Sequence, residues 1–345
     1  AVMGKMADGS TKMLVDSGAV QFEFEKDNAL GTTASNTNLP NLTSAGPSPD
    51  TSEQLGAKTG GKLGALVDVR DTTLTNFHRD LDQLTQTIRD RVNAAHNLGT
   101  RGNAGAATIT GSTDISSDAL VDASGELTLN EVDPITGEVV NSISVDISSA
   151  SDFSDIANLL APTSPPNNFT ATLSGDQLEI GTTNTNEVTI TTGDAEITGI
   201  FGTKGFSHYF GLNNLFETPG LPLNPSNPAT DIAGAAGQIE VRTDIKSDPA
   251  ALSAGSATVR STPPPTNNPP VVYEGDPAVA QAMADAFESR ATIPKSDGNL
   301  LKVDTTMSGY AGDILSFQAS ETSRTETARD FQQTMYDELK FRSDS

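Results

Sequence analysis

Two stretches of helical period, far apart in the chain, constrain this sequence most. From Lys62 to Asn97 the apolar residues include Leu74, Phe77, Leu81, Leu84, Ile88, Val92 and Ala95, three or four positions apart. That spacing is a heptad seam, and it predicts one helix about 50 Å long at 1.5 Å per residue. Gly99 and Gly102 follow as its stop. A second seam runs over 304–341 through Met307, Tyr310, Ile314 and Phe317, passes the polar Glu321 and Thr325, and resumes at Ala328, Phe331, Met335 and Leu339. Neither helix can bury its own stripe, so the two are expected to pack antiparallel on each other. Leu74, Phe77, Leu81, Leu84, Ile88 and Val92 would then meet Ile314, Phe317, Phe331, Met335 and Leu339. Arg79, Asp80, Asp82, Arg89, Asp90 and Arg91 fall on the opposite face. His78 and His96, too far apart on one helix to share a metal, read as surface or rim residues.

About two hundred residues separate the two seams, and their period differs. Short alternating runs at 120–129, 139–147, 169–173, 178–180 and 188–190 predict strands, with one short helix over 152–160. Further on, Gln238 to Ile245 reads as a strand. Asp276 caps a helix over 277–290 with Val279, Met283, Ala286 and Phe287 facing inward. Near the N-terminus, Val20, Phe22 and Phe24 alternate with polar residues as in a half-buried strand. The expected fold is therefore α+β and multidomain. An antiparallel pair of long helices with small strands forms a discontinuous stalk, 1–97 and 206–345. A mainly β, or α+β, domain is inserted at 98–205.

Charge and composition narrow the function. With 45 acidic against 21 basic residues the net charge is −24. Such a surface repels nucleic acid and anionic membrane. No apolar run approaches the ~20 residues needed to cross a bilayer. There is no Cys, which removes disulfides, thiol catalysis and zinc–thiolate sites. With three His and no spacing for a catalytic triad or an EF-hand, no enzyme, metal or cofactor site is expected. One stretch imitates a phosphate loop: Gly56, then Gly61-Lys62, matches GxxxxGK. Leu63 stands where a hydroxyl must hold magnesium, and polar residues with Pro49 precede it instead of a buried strand. It reads as a glycine-rich approach to a helix.

That approach is informative in another way. "GGKLGALVDVRD" (Gly60 to Asp71) runs into the long helix and its "NAAHNLG" end (Asn93 to Gly99). Later come "FGLNNLF" (Phe210 to Phe216), "GQIEVRTDIKSDPAALSAG" (Gly237 to Gly255), "GDPAVAQAMADAF" (Gly275 to Phe287) and the closing 310–345 segment. In this order and spacing the chain resembles the bacterial flagellar hook-associated protein 1 family. Gly60, Gly61, Leu63, Gly64, Leu66, Arg70, Asp71, Asn93, His96 and Gly99 fall on one family pattern. Phe210, Gly211, Leu212, Asn213 and Phe216 fall on another, which departs from the family's usual Asp by carrying Asn214. The resemblance implies a structural, axial protein at the hook–filament junction, outside the cell, exported through the flagellar type III machinery. Its implied partners are neighbouring copies of itself, hook protein and the second junction protein. The family's terminal coiled-coil segments find no match, so this piece is expected to be monomeric. Flagellin or hook protein, and an extracellular adhesin or ligand-binding module carried by the insert, are the alternative readings.

Overall fold

Helical period is kept where the sequence sustains it longest, and strands form where it alternates. In the computed structural model of the protein the described residues are 3–5, 11–13, 21–24, 42–45, 52–54, 65–66, 68–100, 106–116, 118–162, 168–199, 202–221, 232–253, 255–257, 272–273 and 277–344. The phosphate-loop-like stretch and four of the family-pattern positions, Gly60, Gly61, Leu63 and Gly64, lie outside them.

Short strands lead the chain: Met3–Lys5 (β1), Thr11–Met13 (β2), Gln21–Phe24 (β3), Leu42–Ala45 (β4) and Ser52–Gln54 (β5). β1 pairs with β2, and β3, β4 and β5 form an antiparallel sheet. A π-helical turn, Val69–Thr73, introduces the long helix α1, Leu74–His96. Next come β6 (Thr108–Thr110), β7 (Leu120–Ser124), β8 (Glu126–Val132), β9 (Val139–Asp146) and helix α2 (Phe153–Leu160). They are followed by β10 (Phe169–Ser174), β11 (Gln177–Thr182), β12 (Glu187–Thr191), β13 (Glu196–Gly199), β14 (Gly202–Gly205) and the short helix α3 (Phe206–Phe210). Beyond lie β15 (Phe216–Glu217), α4 (Ala235–Gln238), β16 (Glu240–Val241), α5 (Thr243–Ser247), β17 (Ser256–Ala257), β18 (Val272–Tyr273) and α6 (Pro277–Glu288). β19 (Ala291–Ile293), β20 (Val303–Thr305) and the long helix α7 (Met307–Ser343) complete the order. The class is α+β, helices with small antiparallel sheets, as the sequence led us to expect.

The chain divides into two compact units. One holds 1–29, 37–84 and 290–345, the other 30–36 and 85–289. These cuts differ from the expected boundaries at 97/98 and 205/206. The reason lies in the core of the second unit. Ile109, Leu127, Leu129, Ile156, Leu160, Leu178, Ile180, Val188 and Ile197 close one cluster, and Phe206, Tyr209, Phe210 and Leu212 belong to that same cluster. Burial of an aliphatic or aromatic side chain is worth about 1.5–3 kcal/mol, so these four residues bind their segment to the strands that precede it. Three sheets supply the walls, in orders β10-β11-β6, β12-β8-β9 and β14-β13-β7. The β10–β11 hairpin turns through Gly175 (φ 57°) and Asp176 (φ 65°), two successive left-handed residues as a tight two-residue turn requires. Asp152 caps α2 by accepting from the Asp155 N–H at 2.8 Å.

The first unit holds what remains of the expected helix pair. Ile293, Tyr310 and Ile314 form a cluster against which Phe77, Leu81 and Leu84 pack. Beyond Phe317, which is half-buried, the expectation fails: Phe331 is 66 % exposed, Met335 48 % and Leu339 62 %. Glu321 and Thr325 break the apolar stripe there, and the helix is maintained by its own backbone and local pairs. Ile88 and Val92 also leave the expected seam, packing with Ala95, Ala286, Leu215 and Met283 in the second unit. Leu74 is 43 % exposed at the exit of the π turn, which carries one residue more per turn than an α-helix and shifts the face.

Three further readings need correction. His96, read as a surface or rim residue, is buried, as are Asp80, Asp82 and Arg89 on the face opposite the seam. Phe287 was expected inward and is 44 % exposed, because Val279 and Ala286 already form the buried edge of α6. Gln238 to Ile245 is a strand only at β16. Around it the chain turns helical, with Lys246 N–H donating to Arg242 O at 3.0 Å, so the local i→i−4 bond prevails over alternation. Among the described residues no helix is long and apolar enough to cross a membrane.

Candidate functional site

The two patterned segments of the sequence meet at the C-terminal end of α1. Asn93 and His96 lie on the last turn of α1 and Asn97 follows it, where the last helix carbonyls have no partner within the helix. They grip the loop that follows α3. Asn93 Oδ1 accepts from the N–H groups of Leu215 and Phe216, both at 2.9 Å, and its Nδ2 donates to Phe216 O at 2.9 Å. Asn97 Oδ1 accepts from Asn213 N–H at 3.0 Å, while its Nδ2 donates to Asn214 Oδ1 and Asn93 O, each at 2.8 Å. Thus one amide pair reads a backbone donor and acceptor much as a neighbouring strand would.

His96 is fully buried and fixes both ring nitrogens. Nε2 accepts from the Ser253 N–H at 2.9 Å, so that nitrogen carries no proton. The proton is then on Nδ1, which donates to Asn213 O at 2.5 Å. Two glycines make the approach possible. A Cβ on Gly99 would lie 2.0 Å from Ser253 O, and Gly211 turns the chain after α3 at φ 66°. Arg242 closes the far side: Nη1 donates to Leu212 O at 3.1 Å while the other two nitrogens hold Asp244 at 2.8 and 2.5 Å. Of the family-pattern residues in the second segment, Phe210 and Leu212 are core, Gly211 is the turn, Asn213 is gripped and Phe216 pairs with Val241 across β15–β16.

A second clasp sits in the other unit and was not expected from the sequence. Asp80 Oδ1 accepts from the Ser296 hydroxyl, from Asn299 N–H at 2.9 Å and from Leu300 N–H at 3.2 Å. Gly298 passes so close that a Cβ there would meet Asn76 O at 2.3 Å. Burial and the Asp80 charge push the Tyr310 hydroxyl up to about 12, keeping it neutral. The described N-terminal pattern residues do less: Leu66 is 56 % exposed, and Arg70 forms a bidentate pair with its own neighbour Asp71 at 2.5 and 2.8 Å.

Charge is concentrated in the C-terminal third of α1. Burial pushes the Arg89 guanidinium down to about 10, partly offset by Asp90, and Arg89 donates to the Thr218 hydroxyl. Burial raises the Asp90 carboxyl, but a hydrogen bond from His208 and the Lys204 ammonium outweigh it and hold the group well below the carboxylate range. Lys204 Nζ stands 2.8 Å and His208 Nε2 3.3 Å from Asp90 Oδ1. A cavity of about 790 Å³ opens beside this pair, lined by Arg91, Leu98, Glu196, His208, Asp285 and Ala286 among others. Among the described residues no group of three or more His, Cys, Asp or Glu could hold a metal ion. What this site does chemically is fasten backbone to helix.

Residues 3–108, which carry α1 and the whole gripping side of the clasp, match the family model of the flagellar hook-associated protein FlgK helical domain. The chain resembles the flagellar hook-associated proteins. Two solved structures are similar at a distance. The flagellar hook junction protein FlgK from Burkholderia pseudomallei is 17 % identical with a TM-score of 0.23, over 69 % of this chain and 42 % of that one. The D1–D2–D3 domains of the flagellar cap protein FliD from Escherichia coli are 11 % identical with a TM-score of 0.17, over 62 % of this chain and 66 % of that one. This chain therefore spans less than half the length of the FlgK structure, and at such scores neither likeness bears on the argument. No curated protein matches. The family-model match supports a structural role in the flagellum.

Proposed function

We propose that this protein is an axial component of the bacterial flagellum that joins hook to filament, outside the cell, without catalysis. The observation that carries the reading is the FlgK helical-domain match over 3–108. The clasp supports it, because the matched helix grips, residue by residue, the segment that carries the second family pattern. In this reading the partners are neighbouring copies, hook protein and the second junction protein, and export runs through the type III machinery. The three-sheet region, whose core extends to Leu212, projects from the outer surface. Electron microscopy of a strain lacking the gene tests the proposal. Bare hooks with filament protein shed into the medium are expected; normal filaments would sink it. Normal filaments together with lost surface attachment would favour an adhesive module instead.

A further inference from the structure

We infer that His96 makes the α1 clasp a pH-sensitive latch, closed at neutral pH and loosened by mild acid. The inference rests on the geometry of the clasp and does not depend on the flagellar reading. The imidazole is fully buried, and one ring nitrogen faces a main-chain donor, the other a main-chain acceptor. Only the neutral ring protonated at Nδ1 satisfies both. A second proton, on Nε2, would point at the Ser253 N–H and set donor against donor, losing a buried hydrogen bond and leaving a charge in its place.

Of the charges on the surrounding elements, most are engaged with one another or exposed. On the 240–253 segment Arg242 holds Asp244, Lys246 holds Glu240, and Asp248 is exposed. On α6 Asp285 accepts from Gln281, and Glu288 is exposed. On α1 itself Arg91 donates to Ser289 O, and Asp90 holds Lys204 and His208. Glu217 lies on β15, which Asn93 grips through Phe216. Two hydrogen bonds at the ring come from main chain, and the nearby Arg242, which donates to Leu212 O, is paired with Asp244.

Linkage fixes the sign. A histidine neutral in the folded state takes up a proton on unfolding once pH falls below its unfolded value of ~6.5. Stability is therefore present above that pH and lost as pH falls, by up to about tenfold in the unfolding constant per pH unit.

The test is unfolding of the whole chain at fixed ionic strength between pH 7.5 and 5.5, for the wild type and for His96→Gln. The glutamine amide can donate to Asn213 O and accept from Ser253 N–H but does not titrate. The wild type is expected to lose close to tenfold more in folding equilibrium than the variant over that range. Parallel curves for wild type and His96→Gln would overturn the inference. Nitrogen NMR of the wild-type imidazole gives an answer even if His96→Gln folds poorly. Proton on Nδ1 alone, with Ser253 amide exchange accelerating on acidification, supports the latch. Proton on Nε2 alone, or a doubly protonated ring at pH 6 with unchanged Ser253 protection, refutes it.

Discussion

The two long helices of this protein are built from similar seams and end in different states. α1 is held over most of its length: Phe77, Leu81 and Leu84 on one cluster, Ile88 and Val92 on another, and Asp80, Asn93, His96 and Asn97 bonded to distant loops. α7 is buried at Met307, Tyr310 and Ile314, and past Phe317 stands exposed. There the Thr322, Thr325, Thr327 and Thr334 hydroxyls donate to the carbonyls four residues earlier, and Arg342 pairs with Glu338 one turn back. The difference teaches that a heptad seam fixes a helix but not its partner. Polar side chains that reach other backbone decide where this one is fastened.

The comparison breaks most easily at Asn93. Asn93→Ala leaves two main-chain N–H groups and one carbonyl without their partner and is expected to cost about 3 kcal/mol, read by denaturant unfolding. Leu81→Asp puts a charge into the one place where the seams do meet. It should cost about 2 kcal/mol and lower the melting temperature by several degrees, and an unchanged curve would mean that α7 does not pack there.

Glu131 sharpens the same lesson in the three-sheet region. It is buried, and although burial raises its carboxyl, amides of Asn184, Asn186, Asn168 and Asn141 outweigh that and hold it below the usual range. Its contribution is thus present above the unfolded value of ~4.3 and lost as pH falls through the lower folded one. Between pH 5 and 3 the wild type should lose stability more steeply than Glu131→Gln. The smallest effect belongs to the exposed half of α7: Phe331→Ala should change stability by less than about 0.5 kcal/mol.

Much of the fold was legible in the sequence. Alternation marked β7 to β12, Asp152 marked the start of α2, and the spacing of Leu81, Leu84, Tyr310 and Ile314 marked the residues of one real cluster. The clasp was half-legible. Asn93, His96 and Asn213 stood out through the family pattern, yet His96 read as a rim residue because nothing in a linear pattern says that Ser253 will return to it. Asp80 and Arg89 were missed for the same physical reason. A polar residue on the face opposite an apolar stripe looks solvated whether it meets water or a turn hundreds of positions away. The one hint was Gly298 beside Ser296 and Asn299, a turn signal with no visible purpose. In the outer half of α7 Phe331, Met335 and Leu339 repeat with helical spacing, but the polar break at Glu321 and Thr325 leaves them without a partner to bury against among the described residues.

Hydrogen exchange of the intact chain at neutral pH, followed peptide by peptide, tests this contrast most directly. Amides of 78–96 should exchange only with unfolding of the parts that grip them, and those of 320–343 should open locally, orders of magnitude faster. Equal protection of the two helices along their full lengths would contradict the account.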